Sequence, residues 1–501
     1  MFVAPDPGFL RLRTALRAVL GVVLSVGAAQ AAGLSLVASI VAGLAALLAL
    51  FTVTDASVRA QAVTTALLPA AGFPVLALAT ALHGLPQLRD AAFVLVVFCG
   101  VYARRWGPRG HALGIFAFMN FFSTQFLHAV PAQLPELYAA VVLALVASSA
   151  TRFVLWPIER RTPPAAAPPA LPGTGLARAT TRQAVQAAAA SAVALVVGQF
   201  LSDERWYWAV GTVWWIFVNT TSRGETLVRG FRRVLGTVVG IVFGLLMAIP
   251  LHGAPAPTAI LVAVCVFGIF YTAAVSYSWM MLAVTVMASS LYGLLGVLDT
   301  GLLVLRLAET GVGAVCAALA VALVLPITTH ATNHAWIQRA LHSMHAATAE
   351  AIARLAGDRE GDPAPHAAEL EQLLVRVRMA LAPLLHPLNP FRARKARARH
   401  VIELLDDCAR EVRGLVAVAA DPSAAHDARL AAACWRVEEA VEALTADELG
   451  CCRVDETAPA HGQAAKDRGE PALAHLHGLE KALAELATPL NSSPRAPRVA
   501  A

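Results

Sequence analysis

The chain has 501 residues, of which 57% are hydrophobic and only 14% charged, with a mean hydropathy of +0.62. A soluble globular chain carries about 25% charge, so the composition excludes one and reads as an integral membrane protein. The net charge of +6 reflects arginine-rich inside loops rather than nucleic-acid binding, because lysine and arginine collect on the untranslocated side of a membrane protein.

In chain order, spans are expected near 14–32, 34–53, 61–82, 90–103, 111–128 and 135–156, and again near 183–201, 206–221, 231–251, 256–274, 278–297 and 303–325. Several are shorter than the roughly 20 residues a perpendicular helix needs. Arg89 and Arg104 lengthen the fourth by snorkelling. Arg11, Arg13 and Arg17 before an apolar run ending in Ala28-Ala29-Gln30-Ala31 have the features of a signal peptide. An equivalent segment recurs mid-chain, where no signal peptide acts, so the run is read as an uncleaved first span.

The two sets follow one plan. Pro157 and Pro326 lie 326 − 157 = 169 residues apart, and the same offset separates Arg13 from Arg182 and Tyr102 from Tyr271. Three anchors at one offset argue for an internal duplication, a common device in transporters. Six spans per half is an even number, so the halves insert in the same orientation. Arginines of the loops, among them Arg104, Arg105, Arg109, Arg160, Arg161 and Arg178, fall on one side, with little beyond Arg89 and Arg205 opposite. The arginine-rich side is cytoplasmic by the positive-inside rule, which puts both termini there.

The reading is all-α: a polytopic helical membrane protein with two parallel six-helix repeats and a cytoplasmic C-terminal helical domain. Its parts are a first transmembrane block, 1–158; a Pro/Ala-rich cytoplasmic linker, 159–181, extended by its prolines; a second block, 182–328; a cytoplasmic helical domain, 329–490; and a disordered tail, 491–501. In the fourth part, segments near 333–356, 366–386, 393–419, 424–449 and 471–488 carry Leu, Val and Ala at helical spacing.

One stretch stands out, from Ser222 to Gly244. Its first half holds Arg223, Glu225, Arg229, Arg232 and Arg233. Its second half is uncharged and places Gly236, Gly240 and Gly244 four residues apart, about one helical turn. It reads as a cytoplasmic elbow feeding a span. The arginines either bind lipid phosphates or form an electropositive vestibule that gathers anions, and Glu225 pairs with Arg229 one turn away. The glycine stripe packs its helix closely on another.

Arg306 and Glu309 lie in the last span, three residues apart and so on one face. Charges there are expensive and are either paired or functional. Two roles stay open: an internal ion pair, or a carboxylate anchor at Arg306 with a proton carrier at Glu309. Trp206, Tyr207 and Trp208 read as an interfacial belt. Trp214, Trp215 and Trp279 are candidates to stack on an aromatic ligand.

The remaining chemistry is sparse. No histidine has an acidic or Cys partner at ligand spacing, so no metal and no cofactor are expected. No Walker sequence or acid–base constellation appears, so the chain is not read as an enzyme. The cysteines show no paired framework and are expected to be free. The run Arg392, Arg394, Lys395, Arg397, Arg399, His400 is a solvated or membrane-facing basic helix end.

Tyr207-Trp208-Ala209-Val210, Thr221-Ser222-Arg223-Gly224-Glu225-Thr226, Arg232-Arg233-Val234-Leu235-Gly236-Thr237 with Gly240, and Arg306, Glu309, Thr310 and Gly311 together resemble the signature of the fusaric-acid-resistance / aromatic-acid-exporter family. The resemblance covers roughly 180–326. The first half fits by architecture, with Asp55 to Gly72 a faint echo of the elbow. The resemblance implies an efflux protein of the bacterial inner membrane for small aromatic carboxylic acids, driven by the proton gradient. Some relatives work with a periplasmic adaptor subunit, and some carry a large cytosolic domain between blocks where this chain has a short linker. The partners implied are the lipid bilayer and a small organic anion, with no nucleic acid. A homo-oligomer and the adaptor stay open. The alternatives are a passive anion channel and a membrane-anchored scaffold or envelope-stress protein.

Overall fold

A computed structural model of the chain describes residue 6 and residues 9–154, 175–220, 222–248, 250–251, 254–326, 329–355, 361–385, 392–420, 428–445 and 470–491. Residues 155–174, which hold Pro157 and most of the expected linker, Thr221, and the tail from 492 lie outside the described residues. The chain divides into two units, Met1–Ile327 and Thr328–Ala501.

In the first unit a helix stands at each of the twelve segments read as spans: α1 Leu10–Ala31, α2 Leu36–Thr52, α3 Val58–Ala81, α4 Pro86–Tyr102, α5 Gly107–Phe126, α6 Leu134–Val154, α7 Ala179–Leu201, α8 Tyr207–Phe217, α9 Arg223–Ala248, α10 Pro255–Ala273, α11 Tyr277–Leu294 and α12 Thr300–Leu323. Local chemistry sets their ends. Ser35, Ser57 and Asp299 cap α2, α3 and α12 through their side-chain oxygens. Gly33 and Gly296, at φ 72° and 71°, close α1 and α11 in the left-handed region that glycine adopts freely.

The helices are not alike. Among the described residues nine stretches are long and apolar enough to cross a membrane, and one of them, Pro86–Phe126, takes in both α4 and α5. Two fall short, α2 at 17 residues and α8 at 11. At 1.5 Å per residue α8 extends about 16 Å, about half of a hydrocarbon core of roughly 30 Å. The segment expected as a span at 206–221 is therefore a short helix, buried on nearly every face.

Both short helices are fixed at their ends by charged side chains. Glu136 at the start of α6 accepts the Ser35 N–H before α2, and Arg152 near the end of α6 donates to the Ala49 and Val53 carbonyls at 2.9 and 2.8 Å. At the C-terminal end of α8, Arg104 donates to the carbonyls of Phe217 and Thr220 at 3.2 and 3.1 Å. Gln183 donates to Thr220 at 2.7 Å, and Arg229 to Trp215 at 2.9 Å. A helix ends with four carbonyls that its own N–H groups cannot reach. In a dry interior, cations are the partners those carbonyls and the helix dipole favour.

The pairwise packing has a pattern. α1 packs on α6 as α7 does on α12, α2 on α6 as α8 on α12, and α3 on α5 as α9 on α11. Across the halves, α4 packs on α7 and α1 on α10. The α9–α11 contact is the most extensive, and the glycine stripe makes it so. A Cβ on Gly236 would stand 2.5 Å from the Ser278 carbonyl, on Gly240 2.6 Å from Thr285 Cβ, and on Gly244 2.7 Å from Ser289 Oγ.

The second unit holds α13 Thr329–Leu355, α14 Ala364–Leu385, α15 Arg392–Ala419, α16 Ala428–Thr445 and α17 Glu470–Asn491. Their buried faces are leucine, alanine and valine at helical spacing, as in Val401, Leu404, Leu405, Cys408, Val412 and Leu415 of α15. Ion pairs Arg378–Asp406 and Arg436–Glu480 join helices at the exposed rim, where each contributes about 0–1 kcal/mol. Among the described residues Cys99, Cys265, Cys316, Cys408 and Cys434 are free thiols. Burial pushes the Cys408 and Cys434 thiols up to about 12. Cys451 and Cys452 lie outside the described residues.

Candidate functional site

The site begins with a close helix approach. A Cβ on Gly313 of α12 would stand 2.5 Å from the Ala209 carbonyl and 2.7 Å from Thr212 Cβ, both on α8. Nothing larger than hydrogen fits between the two helices there. Two turns earlier on the same face, Arg306 is thereby laid over α8. Its Cζ sits 3.9 Å above the Trp208 ring, and Trp208 Nε1 donates to the Tyr292 hydroxyl of α11 at 2.6 Å.

Arg306 is 4% exposed and Glu309 is not exposed at all. The Arg306 Nη1 and both Glu309 carboxylate oxygens are buried without a hydrogen-bond partner. The expected Arg306–Glu309 pair therefore does not close through a hydrogen bond. Charges in an apolar interior cost several kcal/mol each unless compensated, so this arrangement is a stored demand for a partner or a proton.

Beside it lies a cavity of about 100 Å³ between the two halves. Its wall draws Leu44, Leu47, Leu48 and Phe51 from α2, Met119, Phe122 and Phe126 from α5, Trp208, Gly211 and Trp215 from α8, and Met280, Met281 and Met287 from α11. Arg233 is the only charged side chain among the described residues lining it. Arg233 Nη1 donates to the Tyr277 hydroxyl at 3.3 Å and lies 2.9 Å from the Met281 sulfur. Its Nε is buried without a partner.

The elbow arginines part company. Arg223 and Arg232 are exposed, and Glu225 is half-buried. Arg229 turns inward to the Trp215 carbonyl and stacks 3.9 Å above the Tyr277 ring. Arg233 reaches the cavity. Only part of the cluster is thus free to act as a vestibule. The tryptophans divide in the same way. Trp215 and Trp208 line the cavity. Trp214 is fully buried and stacks on Phe118 at 4.2 Å, where it packs α8 against α5. Trp279 is 50% exposed and away from the cavity wall.

The aromatic belt is not a belt: Trp206, Tyr207 and Trp208 are 2%, 1% and 9% exposed. Arg89 stacks on Trp206 at 4.8 Å and Arg205 on Tyr292 at 5.3 Å. Trp208 and Tyr292 were missed as site residues because their partners lie far off in sequence. The crowding of Met280, Met281 and Met287 in one apolar helix was a readable signal. Among the described residues no group of three His, Cys, Asp or Glu side chains is placed to hold a metal ion.

Many apolar helices, two charged residues sunk in the last of them and an apolar cavity mark a membrane protein of transporter type, crossing the bilayer several times. Residues 191–320 match the family described as fusaric acid resistance protein-like. That stretch contains α8 to α11, the elbow, and α12 as far as Ala320, with Arg306 and Glu309. No curated protein matches the chain.

Proposed function

We propose that this protein exports small aromatic carboxylic acids across the bacterial inner membrane, exchanging them for protons, with both termini in the cytoplasm. The observation that carries this reading is the cavity. Its apolar wall suits a ring, Trp208 and Trp215 offer faces for stacking, and Arg233 offers one cation to a carboxylate. Behind Trp208 stand Arg306 and Glu309, buried and short of partners. Arg306 draws the carboxylate onward, and Glu309 takes and releases the proton. Arg223 and Arg232, exposed on the first turns of α9, concentrate anions at the cytoplasmic mouth.

The matched helix pairings of α1–α6 and α7–α12 support a parallel duplication. The halves are unequal in chemistry, because the arginine elbow and the buried Arg306 and Glu309 belong to the second. Residues 329–490 form the cytoplasmic helical domain of this reading.

The test uses the full chain in proteoliposomes loaded with labelled aromatic acid. Efflux is expected to rise with an inward proton gradient and to vanish in Arg306→Ala, with the variant inserted and folded. Unchanged efflux in that variant removes Arg306 from the path. A current that persists without the gradient makes the protein a channel.

A further inference from the structure

The cavity wall has a composition that export of one acid does not require. Four of the chain's eight methionines, Met119, Met280, Met281 and Met287, stand in it. Methionine is unbranched, with a polarizable thioether, so a surface rich in it re-packs around bodies of different shape. The cavity is small, about 100 Å³, whereas an engineered apolar cavity that admits benzene measures about 150 Å³. A ring bearing a carboxylate enters only where the wall yields. The methionines are its most yielding members, since each has three freely rotating bonds and no branch at Cβ.

Charge behaves in the opposite way. Arg233 is 5% exposed and its Nε lacks a partner, so one ligand carboxylate is welcome there. A second carboxylate on the same ligand meets no second cation among the described residues of the wall. Arg306 does not supply one at the wall, because it stands behind the Trp208 ring and does not line the cavity. The second group would be desolvated among methionine, phenylalanine and leucine, which costs more than any contact there returns.

We infer that this cavity is strict in charge and loose in shape: it binds singly charged carboxylates with apolar bodies, flat or flexible, and refuses dicarboxylates built on the same bodies. The inference rests on the exporter reading and narrows it, since it extends the ligand class from aromatic acids to aliphatic monoacids and sets a limit at one negative charge.

Binding to the full chain in nanodiscs tests this, read by tryptophan fluorescence because Trp208 and Trp215 line the cavity. Benzoate and octanoate are expected to bind within about tenfold of each other, and phthalate about a hundredfold more weakly or less. Arg233→Gln is expected to lose both monoacids, and Arg233→Lys to keep part of the binding, with thermal melts checking that both variants are folded. Met280→Val combined with Met287→Val puts branched, stiff side chains in the wall and is expected to separate benzoate from octanoate. Phthalate binding as well as benzoate, or octanoate failing where benzoate binds, overturns this inference and leaves the exporter reading standing. Failure of all three ligands while aromatic acids are still exported removes the cavity as the site. Failure of binding and of export together overturns the exporter reading itself.

Discussion

Arg306 lies 3.9 Å above the ring of Trp208, and that tryptophan spends its own N–H on Tyr292. The guanidinium is thus held by a π face instead of a carboxylate, although Glu309 is one turn away. A cation on an aromatic face is stabilised by about 0.5–2 kcal/mol. The arrangement keeps Arg306 charged, located and open to exchange of partners.

Trp208 variants separate the two contacts. Trp208→Phe keeps a ring for Arg306 and loses the hydrogen bond to Tyr292, at a cost of about 1 kcal/mol. Trp208→Ala loses both and opens a hole, at about 3–5 kcal/mol. Thermal melts in detergent should rank the variants in that order. Transport should survive in the phenylalanine variant and fail in the alanine one.

The glycines of α9 and α12 are not equivalent. A Cβ on Gly236 falls 2.5 Å from a backbone carbonyl of α11, whereas one on Gly311 meets nothing within 4 Å. Gly236→Ala is expected to destabilise by about 1–3 kcal/mol, as overpacking does. Gly311→Ala should stabilise by about 0.5–1 kcal/mol through helix propensity. Paired melting curves check the opposite signs.

Arg104 is a fastener for α8. Arg104→Ala leaves the Phe217 carbonyl without its guanidinium donor and Thr220 with only the Gln183 amide. Both carbonyls keep another donor, the Thr220 N–H and hydroxyl on Phe217 and the Gln183 amide on Thr220, so the loss is that of hydrogen bonds to a charged group, about 1.5–3 kcal/mol. Folded yield in the membrane should fall, and Arg104→Lys should recover part of it by restoring a charge without the planar fork.

Cys408 and Cys434, raised to about 12 by burial, stay protonated well above neutral pH. Only the thiolate reacts with alkylating reagents, so both should resist modification at pH 8. They should become reactive when the second unit is unfolded in denaturant. Mass spectrometry of alkylated peptides gives the readout. Modification of the folded protein at pH 8 would show that these helices open readily.

How much of this was legible follows from where the partners lie. The helices were legible because apolar runs and the glycines and prolines between them are local properties. The packing role of Gly236, Gly240 and Gly244 was legible for the same reason. The shortness of α8 was not. The apolar sequence runs on to Val218, and the helix ends because Arg104, Gln183 and Arg229 compete for its carbonyls from 113, 37 and 14 residues away. The arginine count of the elbow gave its sign but not its geometry, so the inward turn of Arg229 was hidden. Trp208 looked like a lipid-facing residue because Tyr292 stands 84 residues further on.

The fastening of α8 bears on how the chain is made. Its C-terminal carbonyls are held in part by Arg104, which the ribosome delivers more than a hundred residues earlier. The region that matches the fusaric acid resistance protein-like family, residues 191–320, does not contain that arginine. Arg104 is therefore synthesised, as part of the first half, before the helix it holds. Severed from that half, the second would keep the Thr220 N–H and hydroxyl on the Phe217 carbonyl and lose the guanidinium that ties it to the first. The two halves are therefore tied through one guanidinium, and α8 has its full set of donors only when the first half is present.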